Sequence, residues 1–172
     1  MVLVIEQFGP IGRQEPPKWN FILEKGDKIT KVQVESGYVV DSLSFEILEP
    51  SGNVKTIWPD GTVSGKIKFV DAKTSANEAN TIDLVGERIT QISGLEGDLY
   101  NSQHAVQLLI HTDFTPEGYG PFGDKTDTTN LKGFKSPATS TEPIVGFFGV
   151  TSTYRGGSIG VYISKDTSKM LS

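Results

Sequence analysis

The sequence predicts an all-β domain in which three similar hairpin units pack around one shared core. Nineteen Gly and nine Pro punctuate short segments rich in Val, Ile, Thr and Phe, the pattern of many strands joined by tight turns. Helical periodicity is nearly absent. The chain also repeats itself: Gly26-Asp27-Lys28-Ile29-Thr30 returns sixty residues later as Gly86-Glu87-Arg88-Ile89-Thr90. One hairpin unit cannot bury its apolar face alone, whereas three around an axis can.

In chain order, the apolar start Met1-Val2-Leu3-Val4-Ile5 is interrupted by Glu6 and lacks the basic and long apolar regions of a signal peptide. The expected compartment is the cytoplasm if no leader has been removed, and the outside of the cell otherwise. The first unit alternates at Ile29, Val32 and Val34, with a slip in phase at Lys31 that marks a bulge. Leu43, Phe45 and Ile47 alternate with Ser44 and Glu46, and the turn Glu49-Pro50-Ser51-Gly52-Asn53 opens a return through Val54 to Trp58. In the second unit Gly97 follows Ile89 as Gly37 follows Ile29, and a longer loop, Asp98 to His104, precedes the strand Gln107-Leu108-Leu109-Ile110-His111. The third, fainter unit runs from Ile144-Val145-Gly146-Phe147-Phe148-Gly149 to Gly157-Ser158-Ile159-Gly160-Val161-Tyr162-Ile163. Lys66 to Asn80 and the long polar Pro116 to Pro137 read as surface excursions, and the tail from Ser164 as a fraying end.

Bulk composition narrows function. At 172 residues the chain fits one domain of ordinary size, residues 1–172, without disulfides or metals to staple it. With no Cys, a thiolate metal site or a cysteine nucleophile is excluded. A net charge of −5 argues against nucleic acid or an anionic membrane as partner, and no stretch is long enough to span a bilayer. His104 and His111 lack a second histidine at metal-ligand spacing, and His111 reads as a strand residue with a structural hydrogen bond. Asp124 and Asp127 lack the spacing of a calcium loop. Glu35 and Glu46 nominate no glycosidase pair, and neither a serine nucleophile elbow nor a phosphate loop is present. An enzyme is not expected, nor a cofactor.

The segments Val39-Val40-Asp41-Ser42-Leu43-Ser44-Phe45, Ile92-Ser93-Gly94, Tyr119-Gly120-Pro121-Phe122-Gly123, Ile144 to Gly149 and Ile159-Gly160-Val161-Tyr162 resemble jacalin-related lectins. The likeness runs from about Phe8 to Ile163. It implies a β-prism I fold, three four-stranded antiparallel sheets with pseudo-threefold symmetry. It further implies binding of mannose, glucose or galactose type sugars without catalysis or metal, and assembly into homodimers or tetramers. The partners implied are mono- or oligosaccharides and glycoproteins.

The family's usual pocket pairs an N-terminal Gly-rich loop with a Gly-x-x-x-Asp turn in the third unit. A carboxylate there accepts two hydroxyl protons while backbone N–H groups donate to sugar oxygens. In this chain the third unit reads Thr151-Ser152-Thr153-Tyr154-Arg155-Gly156-Gly157-Ser158, with no Asp, and the partner loop reads Gly9-Pro10-Ile11-Gly12-Arg13 in place of consecutive glycines. A degenerate site there would rest on Gly12, Arg13, Thr153, Tyr154, Arg155 and Gly157, with Tyr154 as a stacking platform and Arg155 as a donor. The first unit keeps an intact turn, Gly37-Tyr38-Val39-Val40-Asp41, which some mannose-specific members use as a second pocket. The sugar contact is expected there, with Asp60, Gly61 and Thr62 as the candidate partner loop. On residue types alone Asp41 braces a turn, Tyr38 is a half-buried strand end, and Trp19 and Trp58 are core. A second spaced match, Gly94 to Asp98, reads as chance, since the repeat aligns Gln107 with Asp41. The competing function is a β-prism interaction or structural module that has lost sugar binding.

Overall fold

The computed structural model describes residues 3–138, 144–151 and 156–166. Every regular element among them is a strand, fourteen in all, arranged in three antiparallel sheets. The first-unit sheet is centred on β3 (Lys28–Ser36) and β4 (Val40–Leu48), continued by β5 (Val54–Ile57) and β6 (Val63–Gly65). On the other flank lie β8 (Glu78–Asp83) and the short edge β7 (Ala72–Lys73). The second-unit sheet pairs β9 (Ile89–Leu99) with β10 (Ser102–Thr112), edged by β11 (Tyr119–Phe122) and β12 (Thr128–Lys135). The third-unit sheet pairs β13 (Ile144–Val150) with β14 (Ser158–Asp166). The chain's own start completes it, β1 (Leu3–Gly12) against β14 and β2 (Trp19–Ile22) against β13.

This is the β-prism architecture, with the expected slip at Lys31 present as a register shift between Ile29 and Lys31. Four expectations need correcting, one being the fraying tail from Ser164, since Ser164 to Asp166 are strand, paired in β14 with β1. The first-unit sheet has six strands, because residues 72–83, which overlap the expected Lys66 to Asn80 excursion and run three residues past it, fold as a hairpin that pairs with β3. Pro116 to Pro137 is not a loop throughout but supplies both edge strands of the second sheet; β12 is almost wholly exposed, so no apolar alternation advertised it. The expected loop from Asp98 to His104 is instead ladder, with Gln103 opposite Asp98 and His104 opposite Gly97. Only Tyr100 and Asn101 turn, both at positive φ (49° and 67°), as a two-residue hairpin connection requires.

The inward faces converge on one core: Val32, Val34, Phe45 and Ile47 from the first sheet, Ile92, Leu108 and Ile110 from the second, and Phe147, Val161 and Ile163 from the third, all fully buried or nearly so. Phe45 and Phe147 meet with ring centroids 4.7 Å apart. Ser136 locks the end of the β12 segment to the centre of the second sheet. Its Oγ accepts the Ile92 N–H (2.9 Å), its own N–H donates to the Ile92 carbonyl (2.9 Å), and its carbonyl accepts the Gln91 side-chain amide (2.6 Å). Ser136→Ala leaves the Ile92 amide buried without an acceptor, so a loss of about 1–3 kcal/mol is expected in urea denaturation. A change indistinguishable from zero would refute the role of this lock.

Candidate functional site

The turn from Gly37 to Asp41 joins β3 to β4 and is held from both sides. The Gly37 N–H donates to the Val39 carbonyl (2.9 Å), while the Gly37 and Tyr38 carbonyls accept the N–H groups of Asp124 and Lys125 (both 2.9 Å). On the opposite side a Cβ at Gly37 would lie 2.4 Å from the Ala76 carbonyl oxygen, so only Gly lets the β7–β8 hairpin seat on the turn. Of the amides expected to face a sugar, that of Gly37 is therefore engaged inside the turn. Tyr38 projects outward with 40% of its surface exposed, while Val39 and Val40 are buried. Asp41 is half-buried, and burial, followed by the negative charge of Glu35, raises its carboxyl to about 6. Among the described residues no donor or cation satisfies that carboxylate.

Asp41 lines a crevice of about 10 Å³ with Trp19, Leu43, Val150, Thr151 and Ser158. Alongside lies a recess of about 680 Å³ lined by Lys18, Trp19, Trp58, Pro59, Asp60, Thr62 and Thr151. Trp19 and Thr151 line both. The loop 58–62 leaves β5 at Ile57, which pairs with Phe45 in the middle of β4. It is rigid: Gly61 N–H donates to the Trp58 carbonyl (2.8 Å), and the Thr151 hydroxyl donates to the Pro59 carbonyl (3.0 Å). Asp60 accepts the Thr62 hydroxyl (2.7 Å) and N–H (2.9 Å), which hold its carboxyl below the usual range. Gly61 packs its backbone against Trp19. Trp19 is core, as expected, 6.3 Å from the Phe45 ring; Trp58 is instead a half-buried wall of the recess, its indole N–H donated to Ser64 (2.9 Å).

A family model, the Jacalin-like lectin domain, matches residues 8–162. The chain belongs to the jacalin-like lectin family. Solved structures agree on the fold. A mannose-binding jacalin-related lectin from Ananas comosus is 23% identical, with 92% of this chain and 96% of that one covered and a TM-score of 0.61. The Calystegia sepium agglutinin is also 23% identical, covering 95% and 98% with a TM-score of 0.64. The mannose-binding lectin from Champedak is 20% identical, covering 95% and 99% with a TM-score of 0.65. Among curated protein sequences none matches.

In this jacalin-like domain the amides of the N-terminal loop at the third-unit place are engaged internally. The Gly12 N–H donates to the Glu96 carboxylate (3.2 Å), reaching across from the second unit, and the Arg13 N–H donates to the Gly157 carbonyl (3.0 Å). A Cβ at Gly12 would stand 2.3 Å from that carbonyl oxygen. The Arg13 guanidinium pairs with Glu15 at 2.8 Å. Thr153, Tyr154 and Arg155 lie outside the described residues. In the second unit the bulge between Ala105 and Gln107 shifts the register, so that Ile110 stands opposite Ile92 as Phe45 stands opposite Val32. Val106, fully buried, therefore matches Asp41 in place of Gln107, whose side chain donates to the Gly123 carbonyl (2.8 Å). Asp98 accepts the Asn130 side-chain amide (2.9 Å). Burial lowers the His104 pKa, opposed by Asp98, and His111 bridges Ser93 (2.6 Å) and the Pro116 carbonyl (2.8 Å) as a structural residue. Among the described residues no group of three His, Asp or Glu side chains is placed to hold a metal.

Sequence reasoning did not single out Lys18 and Thr151, and took Trp19 as core alone, although all three line the recess. They come from two distant parts of the chain, and only closure of the third sheet beside the first brings them to Asp41 and the 58–62 loop.

Proposed function

We propose that this chain acts by binding alone, as a lectin for mannose- or glucose-type hexoses, at the end of the first-unit sheet. The observation that carries the reading is the Asp41 carboxylate, half-buried, raised to about 6, and without a hydrogen-bond donor or cation among the described residues. Such a group is held at a loss unless a ligand supplies donors, and paired sugar hydroxyls supply two. The crevice itself holds no more than a water. The ring lies across Trp19 and Thr151 in the adjoining 680 Å³ recess, with Trp58 beside its C–H face and Asp60 and Lys18 at the rim. Mannose binding by the Ananas and Champedak proteins favours this ligand class.

One shallow pocket gives weak monovalent affinity, on the order of 0.1–10 mM. Multivalency then sets useful avidity, and pairing through the exposed edge strand β12 gives a homodimer or tetramer. Calorimetric titration with methyl α-mannoside tests the site through pH. Because the carboxyl titrates near 6, only about a tenth remains ionised at pH 5. Affinity should therefore fall about tenfold between pH 7 and pH 5. A flat profile would remove Asp41 from the contact.

The satisfied Gly12 and Arg13 amides favour a second reading, a β-prism interaction or structural module without sugar affinity. A glycan array decides between them: hexose signals abolished by Asp41→Ala support the lectin, and a blank array supports the module. Signals lost on Arg155→Ala, with Asp41→Ala harmless, place the contact in the third-unit loop.

A further inference from the structure

We propose a second carbohydrate site, remote from Asp41, in a groove of about 820 Å³ between the β7–β8 flank of the first-unit sheet and the β11 edge of the second. Its ligand is a short neutral oligosaccharide. One wall is the hairpin from Lys73 to Glu78 continued along β8; the other is Tyr119 to Asp124. Both are fastened to the same residue. The hairpin tip packs on Gly37, and the Asp124 N–H donates to the Gly37 carbonyl (2.9 Å). The tip is itself rigid, since the Thr74 hydroxyl accepts the Asn77 N–H (2.9 Å). A groove formed before the ligand arrives loses little ordering entropy on binding.

The lining decides the ligand class. Ser75, Asn77 and Asn80 offer hydroxyl and amide groups that both donate and accept, as sugar alcohols require. Tyr119 and Phe122 are half-buried on the opposite wall and offer ring surface to pyranose C–H groups. Of the three lining acids, Glu78 is paired with Lys73 at 3.0 Å and Asp83 with Lys31 at 3.6 Å, so that Asp124 adds a net negative charge and no lining cation is left over for an anion. Phosphate, sulfate or carboxylate ligands would meet net negative charge. A peptide strand fits poorly, because the outward N–H of Thr81 on β8 is already capped by the Asp71 carboxylate (2.6 Å), interrupting the ladder such a strand needs. The volume lies within the usual range for enclosing a drug-sized ligand, roughly 300–1,000 Å³. The ligand class rests on the carbohydrate reading above; the place does not.

The test uses the full chain carrying Asp41→Asn, so that the first site is disabled, titrated with mannopentaose and with maltopentaose and followed by amide NMR. Expected are saturable millimolar shifts at 73–83 and 119–124 with at least one pentaose. Asn80→Ala should weaken them about three- to tenfold. Ser75→Trp, at the exposed hairpin tip, should block the groove if the Asn80 variant folds poorly. No shift at those residues with either sugar, or shifts that neither variant alters, overturns the groove. The lectin reading is judged separately, from wild-type shifts around Trp58 with methyl α-mannoside.

Discussion

Asp41→Asn is expected to abolish hexose binding and, in the same protein, to raise stability at pH 7. The folded chain holds the Asp41 proton to about 6, against 3.8 for an ordinary Asp. What this group contributes to stability is therefore complete below about pH 3.8 and lost as the pH rises through about 6. At pH 7 the ionised carboxylate opposes folding, and an amide of the same shape does not. The side chain is only half-buried, and solvent screening reduces the gain to about 1 kcal/mol. Urea denaturation should show the variant more stable at pH 7 and equal to wild type near pH 4, with a binding loss exceeding about tenfold as the charge-assisted hydrogen bonds go. A variant no more stable at pH 7 that still binds methyl α-mannoside would show that Asp41 is neither desolvated nor a ligand. The opposite signs for stability and binding separate this role from that of a turn brace, whose loss would lower stability.

Phe45→Ala should cost about 3–5 kcal/mol. The ring is fully buried, 4.7 Å from Phe147 and 4.8 Å from Phe21, so it links the first-unit sheet to two strands of the third. It also backs Trp19, which with Thr151 lines both the crevice and the recess. The midpoint of urea unfolding should fall with little change in slope, and methyl α-mannoside affinity should weaken as Trp19 loses its support. A destabilisation below about 1 kcal/mol would mean that the sheets do not depend on a common core.

The repeat at Gly26 and Gly86 and the alternation of Leu43, Phe45 and Ile47 carried the threefold plan, because periodicity and turn chemistry are local. The slip at Lys31 was legible for the same reason. The family resemblance singled out Asp41 through its Gly-x-x-x-Asp turn, but not its burial in a crevice that it shares with Trp19 and Val150, far away in the chain. The β7–β8 hairpin escaped because β7 is two exposed residues and β8 is mostly polar and half-buried, with Ile82 alone buried in the core, too little apolar alternation to mark a strand. Tyr100-Asn101 escaped because Tyr is no turn former, yet both residues adopt positive φ. The hydrogen bond from Gly12 to Glu96 joins residues in different sheets, a contact that no local pattern encodes.

A crystal soaked in methyl α-mannoside tests the central claim most directly. The account predicts a pyranose over Trp19 and Thr151, within hydrogen-bonding distance of the Asp41 carboxylate and flanked by Trp58. A ring seated instead beside Gly12 and Gly157, with Asp41 untouched, would contradict it.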